Sequence, residues 1–268
     1  MELKLSITGT DGAVKASAAG TDMVRLVYQE SYCPGDVLHL EADAPGFVWA
    51  KMEDSIPDTL AWLAKPYHLT VPFGEKRANY SPKSFSGDSH FLQVRAAHPK
   101  EAQGWRNLAL NPLDHGENSG LFPHAKANIE TRGESVFAAR NAIDGCYANS
   151  SHGIWPYQSW GINCDPHAEL TLDFGRPVRI DRLVFTIRAD FPHDSWWDHA
   201  TVTFDNKREL RFSLEKSAGR QCYDIDPITV RWLKFHQLHK VEDDPSPFPA
   251  LTQIEAWGTE AYVEEEKE

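Results

Sequence analysis

The sequence predicts an all-β protein built from two β-sandwich domains. Three observations carry that reading. Short runs rich in Val, Ile, Leu, Phe and Thr recur along the chain, turn residues separate them at short intervals, and helical periodicity is almost absent.

The first run, "MELKLSITGT", alternates apolar Leu3, Leu5 and Ile7 with polar neighbours, which is a strand pattern and not a signal peptide. "MVRLVYQ", "DVLHLEAD", "GFVWAKM", "YHLTVPF" and "HFLQVRAA" continue the series through the first hundred residues. Two stretches read as short helices: "PDTLAWLA" after Pro57, and "SVFAARNAI" with Ser135 as N-cap. A segment rich in Pro, Gly, Asn and His follows residue 105 and shows no sustained alternation. It divides the chain into a first domain (1–105), a connecting segment (106–126), a second domain (127–259) and an acidic tail (260–268). The apolar residues Leu108, Leu110, Leu121 and Phe122 predict that the connecting segment packs on the domains.

The strands of the second domain predict where its loops go. "AELTLDF" and "RLVFTIR" read as an antiparallel pair reversed at "GRPVR", so the chain returns to the end it left. "ATVTFDN" and "ELRFSLE" form the next pair, and "VRWLKFHQL" leads into the loop "HKVEDDPSPFPA" before "LTQIEAWG" closes the domain. Three loops then converge on one rim: "HGIWPYQSW", "RADFPHDSWW" and the loop carrying Phe248. Loops on a rigid β scaffold are a common place for a binding site.

Composition narrows the ligand. There are 27 basic and 39 acidic residues, a formal charge of −12. That field repels phosphate backbones and anionic lipid heads, so the expected partners include neither nucleic acid nor a membrane surface. No apolar run approaches bilayer-spanning length. The expectation is a cytoplasmic chain, or an extracellular one if a leader was removed. The four cysteines are widely spaced and read as free thiols, with a Cys146–Cys164 bridge as the alternative.

Three motifs of the second half, "FAARNAIDG", "AELTLDFGRPVRIDRLVF" and "LTQIEAWG", together resemble the discoidin-type domain, also called the coagulation factor 5/8 C-terminal type or galactose-binding-like fold. The resemblance runs from about Ala127 to Thr259. It implies a jelly-roll β-sandwich, and many bacterial members are carbohydrate-binding modules. It also implies a structural calcium ion, with Asp144 and Glu255 as side-chain ligands and Asn141, Asn149 and Thr252 as further oxygen donors. Calcium takes six to eight hard oxygen ligands. A turn-capping or salt-bridging role for Asp144 is the alternative.

Sugar recognition needs an aromatic face for C–H stacking and planar polar groups for hydroxyls. The rim offers Trp155, Tyr157, Trp196, Trp197 and Phe248 as faces, and His152, Arg188, Asp190, His193 and Asp194 as donors and acceptors. Trp197 is expected to be exposed and Trp160 to cover the core, while Trp155 fits either role. The functional expectation is a non-catalytic carbohydrate-binding protein of open oligomeric state. Two rivals stand beside it. One is a glycoside-active enzyme drawing a carboxylate pair from Asp190, Asp194 and Asp198, with His193 or His152 as acid or base. The other is a protein-binding or adhesion module. Zinc is disfavoured, because no H-E-x-x-H or Cys/His cluster accompanies His193 and His199.

Overall fold

The computed structural model describes residues 1–189, 195–242, 244 and 246–261. Asp190, His193 and Asp194 of the expected rim, and the tail beyond residue 261, lie outside the described residues.

The first domain contains β1 (Glu2–Thr8), β2 (Val14–Thr21), β3 (Met23–Tyr28), β4 (Val37–Ala42), β5 (Gly46–Lys51), β6 (Thr59–Leu63), β7 (Tyr67–Thr70) and β8 (His90–Ala96). A four-residue helix, α1 (Pro99–Ala102), follows. The strands make two antiparallel sheets, β2-β1-β4-β7 and β6-β5-β8-β3. Period-two patterning explains the sandwich. Leu3, Leu5 and Ile7 of β1 and Val24, Leu26 and Tyr28 of β3 point into one core, while Glu2, Lys4, Arg25 and Val27 beside them are exposed. "PDTLAWLA" is strand β6 and not a helix. Leu63 and Ala61 fill the core, while Trp62 sits opposite Phe47 across the ladder, their rings 5.1 Å apart. That cross-strand pair outweighs a local helix start.

The connecting segment packs on both domains. Its first piece, β9 (Arg106–Asn107), pairs with the last strand of the second domain, and β10 (Leu121–Phe122) extends the first domain by pairing with β6. Leu113 and Leu121 belong to the first core, and Leu108 to the second. Leu110 does not pack as expected and is exposed. Asn111 and Asp114 tie the segment internally: Asn111 Nδ2 donates to Pro123 O at 2.7 Å, and Asp114 Oδ2 accepts from Ala125 N at 2.8 Å.

The second domain is built from β11 (His124–Ala127), β12 (Trp160–Gly161), β13 (Leu170–Ile187), β14 (Trp197–Phe204), β15 (Glu209–Ser213), β16 (Gln221–Lys240) and β17 (Ala250–Glu260). The sheet order is β12-β17-β13-β16-β14-β15, with β11 on β13 and β9 on β17. β13 pairs with β11 through residues 170–173 and with β17 through residues 178–187, so it serves both layers around one core. Glu260, placed in the tail by the sequence, ends β17 and meets Arg106 and Arg176, each at 2.6 Å.

Two expectations for this half are corrected. "GRPVR" is not a hairpin turn: β13 runs through it, and only the register with β16 breaks between Asp173 and Val178. Gly175 marks the break at φ 68°, where a Cβ would stand 2.4 Å from the Phe122 ring. "SVFAARNAI" is not one helix but two 3-10 turns, Ser135–Phe137 and Ala139–Ile143, interrupted by extended Ala138. No helix among the described residues is long and apolar enough to cross a membrane.

Candidate functional site

His152, Arg188 and Phe248 of the expected rim come together by a route other than a hairpin. Trp160 of β12 pairs with Leu251 of β17, and Leu251 pairs with Ile187 at the end of β13. β12 and β13 both run antiparallel to β17, so Gly161, which pairs with Ala250, lies level with Arg188, whose N–H donates to the same residue. At the same end, Trp197 opens β14 opposite Lys240, the last residue of β16.

Arg188 fastens this junction. Its backbone N–H donates to Ala250 O at 3.1 Å, and its guanidinium donates through Nη1 to Ser151 O and through Nη2 to Tyr157 O. It is buried to 1% exposure. The planar, two-pronged donor suits this bridging of two carbonyls. Arg188 thus positions the 151–157 loop, with one side of the group reaching the cavity below.

His152, Arg188 and Phe248 line one cavity of about 320 Å³, together with Arg132, Phe137, Ser159 and Asn163. Phe248 is 47% exposed, and Phe137 lies under the Arg132 guanidinium at 5.5 Å. Arg132 is also paired with Glu134 at 2.5 Å. Asn163 N donates to Thr131 Oγ1 at 2.9 Å, and Ser159 Oγ is buried without a hydrogen-bond partner among the described residues. Phe137, Arg132, Ser159 and Asn163 were not singled out from the sequence. A helical reading of 135–143 hid the outward face of Phe137, and no local signal marked the others.

The remaining rim aromatics separate. Trp155 is partly exposed, but it faces a different cavity, of about 390 Å³, between the two domains beside Tyr80, Arg140 and Gln158. Its backbone N–H donates to Ala78 O at 2.8 Å. Tyr157 is half-buried and contributes its carbonyl to Arg188. Trp197 corrects the expectation of exposure. It is fully buried, with its ring 6.1 Å from Phe235, because the strand begins at Trp197 itself and this position faces the core. Trp196 is partly buried against the same core, and Trp160 is fully buried as expected, its Nε1 donating to Ile129 O at 3.0 Å.

Asp198, one of the carboxylates considered for catalysis, accepts from His199 Nδ1 at 2.9 Å and His239 Nδ1 at 2.7 Å. Burial pushes its carboxyl up, and the two imidazoles outweigh that and hold it below the usual range. It does not line the Phe248 cavity. All four cysteines are free thiols.

The five residues expected to hold calcium divide into two groups. Asn141, Asp144 and Thr252 come together, the first and last through backbone carbonyls around the side chain of Gln253. Asn149 and Glu255 are engaged elsewhere. Asn149 Nδ2 donates to Ala218 O at 2.7 Å, and the Glu255 carboxylate is paired with Arg220 at 2.7 Å. Burial pushes the Asp144 carboxyl above its ordinary value, against the pull of Arg140 and of hydrogen bonds from Gln158, Cys146 N and Gln253. With one carboxylate present and an amide nitrogen among the oxygens, the set does not fit a calcium ion.

No family model and no curated protein matches the chain. Among solved structures, it is similar to a fucose-binding module of Streptococcus pneumoniae at 13% identity, with a TM-score of 0.41 over 59% of this chain and 98% of that one. The lectin domain of lectinolysin in complex with Lewis B antigen gives 17% identity and a TM-score of 0.41, covering 57% and 97%. The family 32 carbohydrate-binding module of C. perfringens NanJ in complex with galactose gives 17% and 0.38, covering 50% and 91%. These structures are a fucose-binding module, a lectin domain and a carbohydrate-binding module.

Proposed function

We propose that this chain is a non-catalytic carbohydrate-binding protein whose ligand sits in the rim cavity of the second domain. One observation carries the reading. Separate chain segments place two aromatic side chains, Phe137 and Phe248, in one open cavity with His152, Ser159 and Asn163. A sugar ring offers an apolar C–H face and a ring of hydroxyls. Aromatic faces with nearby side-chain donors and acceptors match both. The volume, about 320 Å³, lies in the range of small-ligand sites. The buried Ser159 hydroxyl, without a partner among the described residues, gives a ligand hydroxyl something to gain, since a buried polar atom left unpaired is costly.

The mechanism is reversible recognition. The Arg188 bridge holds the 151–157 loop before the ligand arrives, so little ordering is left to be done on binding. Phe248 covers the ligand from the far loop, and His152 from the near one.

A glycan array probed with the full chain, followed by prolonged incubation of any positive glycan, tests the reading. Binding of one sugar class, with the glycan recovered intact, is the expected result. Cleavage of the bound glycan would replace binding with catalysis. Silence across the array from folded protein would overturn the sugar reading in favour of a protein ligand.

A further inference from the structure

Gln253 lies on β17 at 2% exposure, with its carboxamide turned into the loop that follows the 139–143 turn. Its Nε2 stands 2.7 Å from Asn141 O, 2.9 Å from Asp144 Oδ1, 3.2 Å from Cys146 O and 2.7 Å from Thr252 O. Its Oε1 accepts from Gly145 N at 3.0 Å. Four oxygens converging on one point is the geometry of a cation cage, yet an amide nitrogen has only two hydrogens to offer. The orientation of the carboxamide follows from the surroundings. Flipped, its oxygen would face four other oxygens, and its NH₂ would face the Gly145 N–H.

We infer that the side-chain amide of Gln253 takes the place of a bound cation, tying residues 141–146 to β17 with no metal. The charge balance agrees. The cage holds a single carboxylate, Asp144, and the Arg140 guanidinium lies 3.8 Å from it. A divalent ion would therefore meet almost no net negative charge. The number of ligands agrees too, since calcium asks for six to eight oxygens and four are present around the nitrogen. Asp144 spends its remaining capacity on Cys146 N and Gln158 Nε2, both at 2.8 Å.

The consequence reaches the first domain. Asn141, whose carbonyl Gln253 holds, accepts a 2.8 Å hydrogen bond from Asn79 Nδ2 through its side chain. The amide therefore helps to keep the two domains in register, whatever the calcium level around the protein.

The test is thermal unfolding of the full chain in excess calcium and in chelator, with calcium titration calorimetry beside it. The parent protein should show the same Tm in both and no binding heat. Gln253→Met, similar in length but unable to donate, should lower Tm by several degrees equally in both. Gln253→Glu sets a second carboxylate facing Asp144. It should lower Tm in chelator, regain stability in calcium and show a calcium binding isotherm. Stoichiometric calcium binding by the parent would overturn the inference. So would an unchanged Tm in Gln253→Met, or a Gln253→Glu protein indifferent to calcium. Should Gln253→Glu fail to fold, the parent and Gln253→Met measurements still decide.

Discussion

Arg220 donates two hydrogen bonds to Glu255, from Nε at 2.8 Å and from Nη2 at 2.7 Å. The carboxylate is buried at 1% exposure, and the guanidinium is half exposed at 49%. Trp257 Nε1 adds a third donor at 2.7 Å. Burial pushes the Glu255 carboxyl up, but these donors outweigh it and leave the pKa below the ordinary glutamate value of 4.5. A group lowered on folding contributes stability that is present above its unfolded value and is lost as pH falls through its folded one. Arg220→Ala should cost about 2–3 kcal/mol at neutral pH, because it leaves a buried carboxylate without its cation. It should also flatten the loss of stability on acidification below 4.5. Urea unfolding of parent and variant across the acid range checks both.

Of two aromatic faces expected on the rim, Trp197 should matter for stability and Phe248 for binding. Trp197→Ala opens a cavity in the core and should cost about 3–5 kcal/mol, measured as a fall in urea midpoint. Phe248→Ala removes an exposed ring and should change stability by no more than about 0.5 kcal/mol. The same variant should weaken sugar binding by about tenfold, read by titration calorimetry against the glycan found on the array.

Arg188→Lys keeps the charge and loses the fork that reaches both Ser151 O and Tyr157 O. Hydrogen exchange should quicken across residues 151–157 and stay slow along β13. Affinity should fall with it, because the loop must then be ordered by the ligand.

Gly161 lines the cavity where a Cβ would lie 2.6 Å from Thr131 Oγ1 and 3.2 Å from the Phe137 side chain. Gly161→Ala should displace Thr131, break its 2.9 Å bond from Asn163 N and reduce sugar affinity. A crystal structure of the variant beside its binding isotherm would show whether the two go together.

The β character of the chain was legible because Leu3, Leu5 and Ile7, or Ala200, Val202 and Phe204, repeat at the period of a strand. The meeting of His152, Arg188 and Phe248 was also legible, although by a mistaken path. The supposed reversal at "GRPVR" is a register break inside β13, and the chain reaches the rim through β12 and β17 instead. A turn and a bulge both carry Gly and Pro, so composition alone does not separate them. "PDTLAWLA" failed for a related reason: its local start signal is weaker than the Phe47–Trp62 pairing that only the folded sheet provides.

The sequence by itself determined the strand-rich architecture and the acidic field. Periodicity and net charge are properties of neighbours along the chain, and they survive without a fold. Only the tertiary structure decided that Trp197 belongs to the core, that Phe137 joins the cavity and that Gln253 fills a cage of oxygens. Each of these depends on residues far apart in sequence. A period of two says that alternate residues share a face. Which face is covered, and by what, is settled by the layer that packs against it.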